Sequence, residues 1–204
     1  MRKHYTSALT LALSLLITSA ALVQAVAMEG GDAAVATIGS TIAEFKLPDA
    51  SGTERSLSTL KGKNGTVLIF IATRCPVSNG YNERMEKLAQ DYSARGINVV
   101  GINANATESA DDIKAHATEN RLTFTILKDK GNKIADRLGA QRTPEVFFLD
   151  ASNKLVYHGR IDNHKNPELV TANDLRDAID AVLAGKPVVK TEAAAFGCSI
   201  KRAS

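Results

Sequence analysis

The chain has 204 residues, 25 Lys and Arg against 22 Asp and Glu, a formal net charge of +3, two cysteines and no tryptophan. Its basic residues are scattered, which argues against a nucleic-acid-binding stripe and describes an ordinary solvated surface. The length suits one domain with extensions and a substantial core.

Arg2, Lys3 and His4 form a short basic start. A mostly apolar run follows from Leu9 to Val23, and Ala25-Val26-Ala27 puts small residues at −3 and −1 of a cleavage point. That is the layout of a secretory signal peptide. Residues 1–27 are therefore expected to be removed. The mature chain is expected to be exported, periplasmic or extracellular, with no stable membrane span; the alternative is an uncleaved N-terminal anchor. Export places Cys75 and Cys198 where disulfides form and persist. Residues 28–40 are small and flexible and read as a linker. Residues 41–186 read as the folded domain and residues 187–204 as a C-terminal tail.

Within the domain, residues 45–56 predict a short edge strand and a turn around Asp49–Gly52, and residues 57–63 a helical turn. Residues 66–72 are apolar without alternation, which predicts a strand buried on both faces. Pro76 suits the first position of a helix. Met85, Leu88, Ala89 and Tyr92 carry that helix to about Arg95, and Gly96 stops it. Residues 97–103 predict a second buried strand. A helix capped by Thr107 or Ser109 follows, with Ile113 and Ala117 inward. Residues 124–127 predict a third strand, and residues 128–140 a turn and a short helix ended by Gly139. Residues 143–150 and 155–162 predict a hairpin. The last helix begins near Thr171, buries Leu175, Ala178, Ile179, Val182 and Leu183, and stops at Gly185 and Pro187. This order predicts an α/β fold, a three-layer α/β/α sandwich with a parallel core and added antiparallel strands.

Cys75 falls between a buried strand and a helix start. There the unpaired backbone N–H groups of the first turn favour a thiolate, the nucleophilic form. Arg74 is a candidate to add positive charge. From position alone two readings stand: a reactive thiol, or a small buried hydrophobe or half of an inert bridge. The stretch Ile69–Tyr81, IFIATRCPVSNGY, resembles the active-site segment of the thioredoxin superfamily. It is most similar to the redoxin branch, the AhpC/TSA family and its peroxiredoxin-like relatives. Further similarity lies in IGSTIAEFKLPDASG, GINAN, RTPEVFFLD and YHGRID. The resemblance spans about residues 38–185.

The resemblance implies a thioredoxin-like fold and an oxidoreductase. The substrate implied is a thiol/disulfide or a peroxide, and a reducing thiol partner restores the enzyme. It implies no cofactor and no resident metal. It also implies a cis-proline facing the cysteine, Pro144, preceded by Thr143. Arg142 is a candidate to stabilise a thiolate or polarise a peroxide oxygen, against a solvated loop arginine. Two departures matter. Ser78 stands where a C-x-x-C site has its second cysteine, so dithiol exchange within that loop is excluded. Ile69, Leu68 and Ala72 replace residues that thioredoxins or peroxiredoxins usually carry before the cysteine. Ser78 is expected either to donate to the Cys75 sulfur or to bond its own backbone.

Cys198 lies in an apolar patch, AFGCSIKR, of an otherwise polar tail, which predicts docking on the domain. It is the candidate that resolves Cys75. The alternatives are a static bridge, worth about 4–5 kcal/mol on chain-entropy grounds, or a free tail thiol. His158 and His164 read as surface or satisfied residues, and His116 as a helix-face residue. Glu83 and Glu86 are candidate proton acceptors near the sulfur, or ordinary helix charges. Asp162 and Arg160 are expected to pair locally. Two further functions remain open: a copper-binding protein like the Sco chaperones, whose C-x-x-x-C is absent here, and a non-catalytic domain with a structural disulfide.

Overall fold

The computed structural model describes residues 35–203. The segment read as a signal peptide lies outside the described residues, as does most of the linker. Residues 36–40 pack on the domain: Ala36 N donates to Arg137 O and Gly39 N to Leu155 O. Among the described residues no helix is long and apolar enough to cross a membrane.

The strands and helices alternate along the first half of the domain. A small hairpin, β1 (Lys46–Pro48) and β2 (Glu54–Ser56), leads into α1 (Leu57–Leu60). Asp49 holds the hairpin turn, accepting from Ser51 N, Thr53 N and Arg55 Nε. The Ser51 hydroxyl first, with Arg55 and these backbone groups, lowers the Asp49 carboxyl to about 2 against the cost of burial. Next come β3 (Gly65–Phe70), α2 (Pro76–Asn79), α3 (Asn82–Ser93), β4 (Ile97–Asn103), α4 (Ala110–Glu119) and β5 (Thr125–Lys128). Then follow α5 (Lys133–Leu138), β6 (Arg142–Thr143), β7 (Glu145–Asp150), β8 (Leu155–Gly159), α6 (Asp174–Leu183), β9 (Glu192–Ala193) and β10 (Cys198–Ser199).

The central sheet runs β5-β4-β3-β7-β8-β9. Strands β3, β4 and β5 are parallel, and β7 is antiparallel to both β3 and β8. Alternate residues of β3 feed two cores. Leu68 and Phe70 join Leu57, Phe147 and Leu138 on one face; Val67 and Ile69 join Met85, Ile113, Phe148 and Leu175 on the other. Helices α3, α4 and α6 thus cover one face, and α1 and α5 the other. That is the three-layer sandwich expected from the alternation of strands and helices.

Three expectations need correction. The single helix predicted from Pro76 to Arg95 is broken at Gly80–Tyr81 into α2 and α3. The break lets Tyr81, 1% exposed, turn into the core beneath the site. The tail, whose sequence has no periodicity to read, forms two short strands. Arg160 and Asp162 do not pair with each other. Arg160 Nε binds Asp174 at 2.6 Å, whereas Asp162 accepts from Arg84 at 2.7 Å and from the Tyr81 hydroxyl at 2.7 Å. Arg84 also stacks over the Tyr81 ring at 3.6 Å. This cluster ties α3 to the segment after β8. Its carboxylate is nearly buried, with a side chain 5% exposed. Asp162→Ala leaves the phenol without its acceptor and the Arg84 guanidinium, still bonded to the His164 and Lys165 carbonyls, without its counter-charge, and is expected to cost about 3–5 kcal/mol, the scale for breaking one partner of a buried pair. Denaturant unfolding measures this; a loss under about 1 kcal/mol contradicts it.

Candidate functional site

The site sits at the end of β3 where it meets α2. Cys75 is the N-cap of α2, with extended backbone (φ −97°, ψ 113°), and Pro76 fills the first helical position, where no N–H is needed. The cap places Cys75 Sγ 3.3 Å from the Ser78 N–H, which donates to it. As a thiol, Cys75 donates to the Thr143 carbonyl oxygen at 3.3 Å. Cys75 as a residue is 2% exposed. The Thr143–Pro144 peptide bond is cis. Ser78 departs from both expectations: its hydroxyl accepts from Ala72 N at 3.2 Å, and its backbone N–H is the group that meets the sulfur.

The tail crosses this site as a strap. β10 pairs antiparallel with β6, Cys198 opposite Thr143 and Ser199 opposite Arg142. Phe196 packs into one core and lies edge-on to Tyr81 at 6.2 Å. Ile200, four residues on, is buried in the other core. Further along, Lys201 N donates to Asn105 Oδ1, Arg202 pairs with Asp136 at 2.9 Å, and Ala203 N donates to Asn132 Oδ1. The apolar patch of the tail therefore docks, as the sequence suggests, with one anchor on each side of the sheet.

Both cysteines are free, and the β6–β10 pairing sets Cys198 opposite Thr143, whose carbonyl oxygen accepts from Cys75. Burial pushes the Cys75 thiol up. The Cys198 side chain, the Thr143 side chain and the N–H groups of Ser78 and Cys198 outweigh it, so the Cys75 pKa is lowered. Cys198 is raised, first by its hydrogen bond to Cys75 and then by burial and the Cys75 charge. Cys75 is therefore the more acidic of the two thiols. Since Cys198 is the largest stabilising partner, Cys198→Ala is expected to raise the Cys75 pKa, and Cys198→Ser, which keeps a donor, to raise it less. Thiolate absorbance against pH reads both. Equal pKa values in the two variants contradict the assignment.

The remaining candidates are placed as follows. Arg142 donates to Gly197 O at 3.3 Å, so its observed contact clamps the tail backbone rather than the sulfur. Arg74 pairs with Asp112 at 3.3 Å on the surface. Glu86 is buried and accepts from Thr123 N and Oγ1 and from Gln90; Thr123 chiefly offsets its burial and lowers its pKa. Glu83 is exposed. His116 is a buried helix-face residue bonded to Asn82 at 3.1 Å, and burial lowers its pKa. His164 accepts from Asn166 N. His158 meets Glu145 at 2.7 Å and stacks on Phe147 at 4.3 Å. Among the described residues no three His, Cys, Asp or Glu side chains group as metal ligands.

Two buried carboxylates escaped the sequence reading. Glu145 Oε2 accepts from Gln141 N and Arg142 N, both at 2.7 Å, and so shapes the turn before Pro144. Glu108 accepts from Thr73 N and Arg74 N, just before Cys75. The signal for the second was Asn103, a polar residue closing the apolar run Val99–Ile102 of β4.

A profile of the AhpC/TSA family matches residues 38–158. The thiol-disulfide oxidoreductase ResA of Halalkalibacterium halodurans is 30% identical over 125 residues, 61% of this chain and 69% of that protein. The chloroplastic peroxiredoxin Q of Sedum lineare is 32% identical over 139 residues, 64% and 73% of the two chains. A solved structure of a hypothetical protein from Sinorhizobium meliloti is 37% identical, covers 83% of this chain and 96% of its own, and superposes with a TM-score of 0.77. With its thioredoxin-like sandwich and a cysteine facing a cis-proline, the chain belongs to the AhpC/TSA family and is an oxidoreductase.

Proposed function

We propose that the protein is an exported thiol-dependent oxidoreductase in which Cys75 meets the substrate and Cys198 resolves the product. The observation that carries this is the pairing of Cys198 with Thr143, whose carbonyl oxygen lies 3.3 Å from Cys75 Sγ. With a peroxide, the Cys75 thiolate attacks one oxygen. An S–O bond forms, the O–O bond breaks, and the alkoxide leaves and takes a proton. Cys198 then attacks the sulfenic sulfur and releases water. With a disulfide, the first attack gives a mixed disulfide and expels one substrate thiol; Cys198 expels the second. Both routes end in one Cys75–Cys198 disulfide, oxidised by two electrons, which two thiols of a reducing partner return to the dithiol.

The test is a peptide map of the reduced chain after one equivalent of hydrogen peroxide. A linked Cys75–Cys198 peptide, formed within one chain and lost on reduction, is the expected result. Cys75 left as a sulfenic adduct while Cys198 remains alkylatable overturns the resolving role. Export rests on the basic start, apolar run and Ala-Val-Ala of residues 1–27. Mass analysis of secreted or periplasmic product is expected to find a chain beginning at Met28; one retaining residues 1–27 contradicts cleavage.

A further inference from the structure

We infer that Glu108 is a positioning residue that holds both sulfur-bearing segments in register through one buried hydrogen-bond network. The inference rests on the two-cysteine reading above. A carboxylate offers about four acceptor sites, and Glu108, 2% exposed, fills them. Oε2 accepts from Thr73 N at 2.8 Å and Asn103 Nδ2 at 2.5 Å. Oε1 accepts from Arg74 N at 3.1 Å and Asn105 Nδ2 at 2.9 Å. Thr73 and Arg74 lead directly into Cys75, so this carboxylate sets where the nucleophile's strand ends and its helix begins.

The other half of the network reaches the tail. Asn105 Oδ1 accepts from Lys201 N at 2.7 Å, and Ala106 N donates to Lys201 O at 2.7 Å. Lys201 lies three residues beyond Cys198. Lys128 Nζ closes the network from behind, donating to Asn103 Oδ1 at 3.1 Å and Asn105 O at 2.6 Å. Both asparagines thus spend their amide oxygens elsewhere, and their NH2 groups face Glu108. Only a carboxylate accepts from two side-chain amides and two backbone N–H groups at once. Burial pushes the Glu108 carboxyl up, but these donors, Thr73 N first, hold it below its ordinary value.

Glu108→Gln keeps the volume and turns one acceptor oxygen into an NH2 donor. Whichever way the amide faces, one pair of donors then meets a donor. The two sides of the network can be separated, because Asn105→Ala breaks the link from Glu108 to the Lys201 N–H, leaving the tail only its Ala106 bond there, while Thr73 and Arg74 stay on Glu108.

Each variant is reduced, given one equivalent of hydrogen peroxide and quenched over time. Dimedone labelling reads Cys75 oxidation, and peptide mapping reads the Cys75–Cys198 link, with Tm measured alongside. Glu108→Gln is expected to slow both steps by about tenfold or more per folded molecule, since displacements near 1 Å can cost about 100-fold. Asn105→Ala is expected to slow linking alone by a similar factor. Folded variants that link within twofold of the unsubstituted chain overturn the inference, even if Tm falls, because a purely structural role moves only Tm. If Glu108→Gln does not fold, Asn105→Ala decides the matter by the same threshold. If the unsubstituted chain never links, the two-cysteine reading has failed instead. In that case folded Glu108→Gln that oxidises Cys75 at the unsubstituted rate overturns the positioning role as well.

Discussion

Cys75→Ser is expected to remove redox turnover, by on the order of 10³-fold or more, the scale for deleting a covalent nucleophile. A hydroxyl is neither a thiolate at neutral pH nor oxidisable to a sulfenic acid, and nothing else in the loop replaces it, since position 78 is serine. The fold is expected to survive. Cys75 caps α2 by accepting from Ser78 N, and serine is among the residues most favoured at that position. Tm is therefore expected to stay level or rise while turnover disappears. Turnover of a peroxide or a disulfide by the folded variant, at more than a few per cent of the original rate, sinks the assignment and moves the chemistry to Cys198.

Gly197→Ala is expected to stop the two cysteines from linking without stopping the first oxidation. Gly197 has φ of +144°, where side chains are strained, and a Cβ there would lie 2.1 Å from the Thr143 carbonyl oxygen. Neither backbone can give way cheaply, because β6 is held by Glu145 and the tail by Phe196 and Ile200. The strand must peel from Thr143, carrying Cys198 with it. Sulfenic acid at Cys75 then persists, and the linking rate is expected to fall by about 100-fold. Time-resolved dimedone trapping beside peptide mapping shows both. Linking at the normal rate means that Cys198 reaches Cys75 by another path and that the β6–β10 pairing is incidental.

Much of this architecture was legible in the sequence because its determinants are local. The unbroken apolar run of residues 66–72 marked the central strand, and Ser109 with Asp112 forms the capping box that starts α4. Pro76 and Gly139 marked a helix start and a helix stop. Cys75 and the Thr143–Pro144 pair stand together as the resemblance implied. What the sequence concealed depends on partners distant along the chain. The break at Gly80–Tyr81 exists because Tyr81 has Asp162 to bind and Phe196 to pack against, and a helix-spaced pattern shows neither. Two-residue strands such as β6 and β10 have no period to read; each exists only because the other is there. Glu108 looks like an ordinary helix-leading acid until the loop of Cys75 is folded over it.

β9 gives the tail a second consequence, in the solution behaviour of the protein. It lies beside β8, with His158 N donating to Thr191 O and Arg160 N to Ala193 O, and it is the outermost strand of the central sheet. Without it, the backbone groups that it covers from His158 to Arg160 are a template for a neighbouring molecule. A two-residue edge that carries Glu192 and lies just after Lys190 is a poor one. Cutting the chain after α6 would thus remove Cys198 and uncover a sticky edge in the same stroke, and lost activity would be inseparable from self-association. Single substitutions that leave β9 in place keep the two apart.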